Sequence, residues 1–355
     1  MEVLTEREQN NINAQTNTRY PEIDIMKGLA IITICMGHAG WQLLWFHYVY
    51  IIVFFYVAGY TFKTKPILEF IKSKFIRLYV SFCFANILGL CIWPIISTTT
   101  NYCKNSRTLL ASLKNIFCFN LVFNLMAPGW FILPFSLVIV IFYIFKRLIP
   151  NDLVIFCITC SIFLYTCKYR EGWMKNYFWN DSYFIPNVGI GLFVANIGYL
   201  IKKYKEFFDK IIIRFGAELF LLSMCILYAM KHTLDYQFGC RESIWSDGLL
   251  LPILIVFGLF FMIYLSRMLG SAVPPNALSK IIIFAGKHSM AIMYFHIPCF
   301  SIITIFSHLI LELDYPDNWT NSYDGTLGFL SGLCGFIVPM LIILFIEKTK
   351  NHLKN

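Results

Sequence analysis

Ten apolar runs, each close to the length that crosses a bilayer, leave this chain few folds to choose from. They fall at roughly 25–43, 46–62, 78–96, 130–146, 152–167, 184–201, 211–230, 248–266, 288–310 and 325–346. Hydrophobic residues make up 58% of the chain and charged residues only 14%, where a soluble domain carries roughly a quarter charged residues. Backbone in lipid must satisfy its own hydrogen bonds, so runs of this kind read as transmembrane helices. The expected fold is an all-α polytopic membrane protein, a bundle of about ten transmembrane helices with N- and C-termini cytoplasmic.

The charges support that topology. With the N-terminus inside and each run crossing once, the inside segments hold 21 of the 29 Lys and Arg residues, from Arg7 to Lys354. The loop from Glu312 to Asp324, placed outside, is acidic and has neither Lys nor Arg. This is the positive-inside pattern. It accounts for the net charge of +9 better than nucleic-acid binding does. Residues 1–20 are polar, lack an apolar signal-peptide core and read as a disordered cytoplasmic tail. Residues 21–346 form one membrane domain, and 347–355 a cytoplasmic tail. The stretch Ile67 to Leu78 interleaves Lys72, Lys74 and Arg77 with apolar residues and is expected to lie along the inner membrane surface. A further apolar patch, Ile116 to Met126, reads as re-entrant or interfacial. Most of the twelve cysteines sit inside apolar runs as small hydrophobes. Cys103 and Cys240 fall in outside loops, and a disulfide between them is left open. No zinc-spaced His/Cys cluster appears, so no metal is expected.

One run is not purely apolar. Asp24 and Lys27 open it, and His38 follows eleven residues after Lys27. Eleven residues exceed three helical turns by only about 20°, so Lys27 and His38 share a face and lie about 16 Å apart. A polar stripe in a membrane helix points toward other helices or a cavity. Asp24 is one turn from Lys27 and can pair with it. Further polar candidates are His47 at the start of the second run, Trp130 at the start of the fourth, and His296 inside the ninth. Each also has a plain reading: an interfacial anchor for His47 and Trp130, and packing beside Pro298 for His296.

Taken in order, these residues resemble membrane-bound acyltransferase family 3, the bacterial O-acetyltransferases of polysaccharides and lipid-linked sugars. Ile23-Asp24-Ile25-Met26-Lys27-Gly28-Leu29-Ala30-Ile31 resembles the opening motif, and Lys27 and His38 its Arg/Lys-x10-His spacing. Phe46-His47 with Phe54-Phe55-Tyr56-Val57-Ala58-Gly59-Tyr60, then Lys74-Phe75-Ile76-Arg77-Leu78, then Trp130-Phe131-Ile132-Leu133-Pro134, follow the family order. Gly286-Lys287-His288-Ser289-Met290 through His296-Ile297-Pro298 completes it. The Lys in the first motif and the short loops are similar to the fucose 4-O-acetylase-like branch. The chain departs from the family at Val49-Tyr50-Ile51 and at His288, and no C-terminal hydrolase-like domain is seen.

The resemblance implies acetyl-CoA as the donor, reached from the cytoplasm, and a glycan or lipid-linked sugar as the acceptor. It implies an enzyme of the bacterial inner membrane. Lys27, Lys74 and Arg77 would meet the CoA phosphates, and an extended pantetheine arm would bring the thioester toward His38. His38 would be the general base, with Asp24 orienting Lys27 and with His47, Trp130 and His296 on the acceptor side. An acetyl-histidine intermediate stays open as the rival mechanism. A glycan or organic-anion transporter is the competing class, because transporters also use intramembrane His and Lys. A non-catalytic partner of a glycan synthase is the third reading. The sugar, the acyl group and the oligomeric state are left open.

Overall fold

The computed structural model describes residues 20–41, 49–99, 113, 116–117, 131–168, 184–232, 250–271, 277–316 and 322–353. Among them the chain is helical between short turns and has no β-strand. Pro21 opens α1 (Pro21–His38), where its fixed φ and missing N–H cost nothing. The helix stops at His38 although apolar sequence continues. Gly40 adopts φ +82. Its amide donates to Gly37 O (3.2 Å) and the Trp41 amide to Met36 O (2.8 Å). These two bonds are the Schellman stop, and glycine takes its left-handed residue without strain. The expected run 25–43 is therefore shorter at its C-terminal end.

The other helices are α2 (Val49–Tyr60), α3 (Ile67–Phe70), α4 (Arg77–Thr99), α5 (Ile132–Leu148), α6 (Asp152–Lys168), α7 (Phe184–Lys203), α8 (Lys205–His232), α9 (Leu250–Ser271), α10 (Ala277–Lys287), α11 (Ser289–Leu311) and α12 (Gly325–His352). A π-helical segment, Ile71–Ile76, joins α3 to α4 without a break. A helix stands at each of the ten expected runs, and α10 is an addition. By length and composition, Ile67–Ile92, Ser289–Leu311 and Gly325–His352 can cross a membrane. Tyr50–Tyr60, Asp152–Thr166 and Ile255–Gly270 are shorter apolar helices. Large hydrophobic side chains also face outward, with Ile213 84% and Phe345 71% exposed. An all-helical fold with such a surface is that of a membrane protein.

α1 is the centre of the bundle. It packs against α2, α9, α10, α11 and α12, and Ile25, Ala30, Ile31 and Cys35 are fully buried. Burial on every side explains why its sequence is apolar all round. A second group, α5, α6 and α2, gathers on α7. Phe55 meets Phe131 edge to face (5.2 Å), and Phe163 lies parallel to Phe193 (4.5 Å).

Helices in lipid gain little from hydrophobic burial against one another, so close packing through small residues carries the association. The crossing of α1 and α10 shows this. A Cβ on Gly286 would lie 1.7 Å from the backbone oxygen of Asp24, and one on Gly28 would lie 2.1 Å from that of Ile282. These are the two glycines of the first and last motifs. Gly286→Ala is expected to force α10 off α1 at a cost of about 1–3 kcal/mol, read as a lower Tm in detergent. Gly37→Ala, with nothing within 4 Å of the new methyl, should leave Tm near wild type. Equal melting of the two variants would contradict this packing.

Ion pairs and ring contacts gather several helix ends. Lys146 pairs with Asp152 (2.6 Å), and Lys203 closes on the same carboxylate. The Lys146 ammonium also sits 3.5 Å from the centre of the Tyr199 ring. Arg267 pairs with Asp209 (2.6 Å). Phe70 stacks on Tyr143 (4.0 Å), whose hydroxyl donates to Lys65 O. These bases all come from segments that the charge pattern assigns to one side.

Candidate active site

α1 is continuous from Pro21 to His38, so it carries Asp24, Lys27 and His38 on one rigid element. Lys27 Nζ lies 2.8 Å from Asp24 Oδ1. Asp24 is 4% exposed. The Lys27 side chain is 20% exposed, so its charge still reaches the surface. Gly286 seats α10 on the Asp24 backbone, and the crossing holds this pair at the start of α1.

The opposite end of α1 meets α11. His38 Nδ1 lies 2.7 Å from His296 Nε2. The ring planes differ by 13° and the centroids are 5.0 Å apart. That separation matches an N···N contact lengthened by the two ring radii, so the imidazoles meet edge to edge in one plane. His296 is fully buried. Its Nδ1 lies 2.8 Å from Met293 O and 3.2 Å from Ile292 O. Phe300 stands against its ring at 5.6 Å, and Gly335 of α12 lets the backbones close over it.

These contacts assign the protons. A carbonyl oxygen only accepts, so His296 Nδ1 carries hydrogen and donates. In the neutral ring Nε2 is then an acceptor. His38 Nδ1 must therefore donate to it, and His38 Nε2 carries the lone pair. An uncompensated charge on the fully buried His296 would be costly, which favours the neutral ring in this assignment. The chain of bonds runs from the α11 backbone through His296 to His38, and it fixes both the orientation and the tautomer of His38.

Sequence reasoning put His296 on the acceptor side, and the structure brings it within hydrogen-bond distance of His38. The available signal was that a histidine within an apolar helix needs a partner. Lys74 and Arg77 are exposed, Lys74 within the π-helical stretch and Arg77 at the start of α4. The helix bearing them has α5 and α11 as neighbours, so they are not brought into the ion pair of Lys27. His47, Trp130, Cys103 and Cys240 lie outside the described residues. Phe131, next to Trp130 in its motif, packs on Phe54 and Phe55 of α2. Among the described residues no three His, Cys, Asp or Glu side chains are placed to hold a metal ion.

Comparison with curated proteins and with solved structures found no match. A family comparison did: the acyltransferase domain of family 3 matches residues 20–347. The match begins one residue before α1 and runs through most of α12, and so takes in the ion pair, both histidines and the glycine crossing. As its ordered motifs imply, the chain belongs to acyltransferase family 3.

Proposed function

We propose that this acyltransferase moves an acetyl group from cytoplasmic acetyl-CoA to a hydroxyl of a cell-surface or lipid-linked glycan in the bacterial inner membrane. The observation that carries the reading is the His38–His296 bond, because it leaves the His38 Nε2 lone pair as the basic atom. In this reading the acceptor hydroxyl gives its proton to Nε2 as its oxygen attacks the thioester carbonyl. The C–S bond breaks, and the CoA sulfur leaves with the proton held on Nε2. The imidazolium that forms keeps its Nδ1–H on neutral His296, which lowers the cost of the charge.

Lys27 lies about 16 Å back along α1, at a depth suited to the donor's phosphate end. Lys74 and Arg77, with Lys72, supply further cations for the same group. The lysine of the first motif is the basis for proposing a sugar acceptor, as in the fucose 4-O-acetylase-like branch.

The test uses the purified chain in proteoliposomes with acetyl-CoA labelled in the acetyl group. Label is expected in extracted glycan when acceptor is supplied. Without acceptor, rapid quenching is expected to leave no label on the protein. Label on a His38 peptide would replace the direct transfer with an acetyl-histidine intermediate. Failure to bind or consume acetyl-CoA would remove the proposed reaction.

A further inference from the structure

The turn that ends α1 does more than stop it. Trp41 lies three residues past His38 and is 41% exposed. Its indole N–H donates to Gly325 O (2.5 Å), and its ring stands edge-on to Phe329 at 5.1 Å. The contacts lie on the first two turns of α12, so the ring is fixed while a large part of it stays open. Asp324 precedes that turn. Its Oδ1 lies 3.3 Å from where a Cβ on Gly40 would be, which puts the carboxylate over the backbone next to Trp41. Asp324 is exposed and makes no side-chain cap to α12.

A fixed aromatic face beside a carboxylate is the chemistry that holds a sugar ring. The C–H face packs on the indole, and ring hydroxyls donate charge-assisted bonds to the carboxylate. The neighbouring loop adds more negative charge. Glu312 and Asp314 are exposed, and Asp314 O accepts a bond from the hydroxyl of Tyr323, the residue before Asp324. A second anion in the ligand would be repelled here.

We propose that Trp41 and Asp324 form the acceptor subsite beside His38 and select a neutral sugar ring over an acidic one. This rests on the acyl-transfer reading and adds the substrate class to it. Trp41 follows His38 by three residues through the turn that ends α1, so a sugar on the indole would sit at the end of the helix that carries the base.

The experiment is saturation-transfer NMR on the full chain in nanodiscs, with methyl glucoside, methyl N-acetylglucosaminide and methyl glucuronide, alongside acetyl-CoA binding by calorimetry. Wild type and Trp41→Phe are expected to bind the neutral glycosides. Trp41→Ala should bind them about five- to tenfold more weakly with unchanged acetyl-CoA affinity, which also shows that the variant is folded. Asp324→Asn should gain binding of the glucuronide relative to wild type. The subsite is overturned if Trp41→Ala keeps wild-type sugar affinity, if no neutral glycoside binds wild type, or if the glucuronide binds wild type as well as the glucoside. Absent acetyl-CoA binding in wild type would instead sink the donor assignment, and the sugar measurements would still report on Trp41.

Discussion

Replacing His38 with alanine is expected to slow acetyl transfer by about 10²–10⁴-fold while acetyl-CoA still binds. The loss follows from removing the basic Nε2, which no other side chain on α1 supplies at that height. His296→Ala should also slow the reaction, but by less, because His296 acts through His38. Without it, His38 loses the acceptor that holds Nδ1 protonated and can turn its lone pair away from the acceptor. The double variant should be no slower than His38→Ala alone, since one variant already removes the atom the other positions. His296→Gln offers a side-chain oxygen to His38 Nδ1 and should recover part of what His296→Ala loses. His296→Phe fills the space without an acceptor and should not. Near-wild-type transfer by His38→Ala would remove it from the chemistry. Additive losses in the double variant, or full activity in His296→Phe, would make His296 a packing residue.

Much of this fold is legible in the sequence because lipid imposes a simple rule: an apolar run must close its own hydrogen bonds. Hence a helix stands at each expected run. The stripe of Asp24, Lys27 and His38 is likewise a matter of helical period alone, and α1 carries it unbroken to His38. What period cannot give is the partner of a side chain on another helix. His38 and His296 are 258 residues apart, and no local pattern joins them. α10 escaped for a different reason. Between Lys280 and Lys287 only the six residues Ile281 to Gly286 are apolar, too few to cross a bilayer, so a search for spans passes over them. Its helical identity becomes plain only where Ile282 and Gly286 lie on α1. The end of α1 had a readable signal in Gly40, but hydropathy continuing past it hid the stop. The same turn presents Trp41 and Asp324 together, from segments 284 residues apart as measured by the Trp41–Gly325 bond.

Lys27→Ala is expected to raise KM for acetyl-CoA by about ten- to a hundredfold and to lower kcat much less. In the proposed reaction this lysine meets the donor's phosphate end, remote from the bond being broken. The substitution also has a structural cost, because it removes a cation 2.8 Å from the buried carboxylate of Asp24. Breaking such a pair costs up to about 3 kcal/mol, at the lower end of the range because Lys27 is partly exposed. Stability and donor binding would then fall together and could be confused. Adding Asp24→Asn to the same chain separates them. The amide carries no charge to bury beside the missing cation, so the double variant should recover most of the lost Tm. Its KM should stay high, since the cation that met the phosphates is still absent. Raising the salt concentration should increase KM in wild type and change it less in either variant, because the attraction being screened is no longer there. Should the double variant recover both Tm and KM, Lys27 serves the fold alone, and the donor's phosphates are held elsewhere, with Lys74 and Arg77 as the next cations to replace.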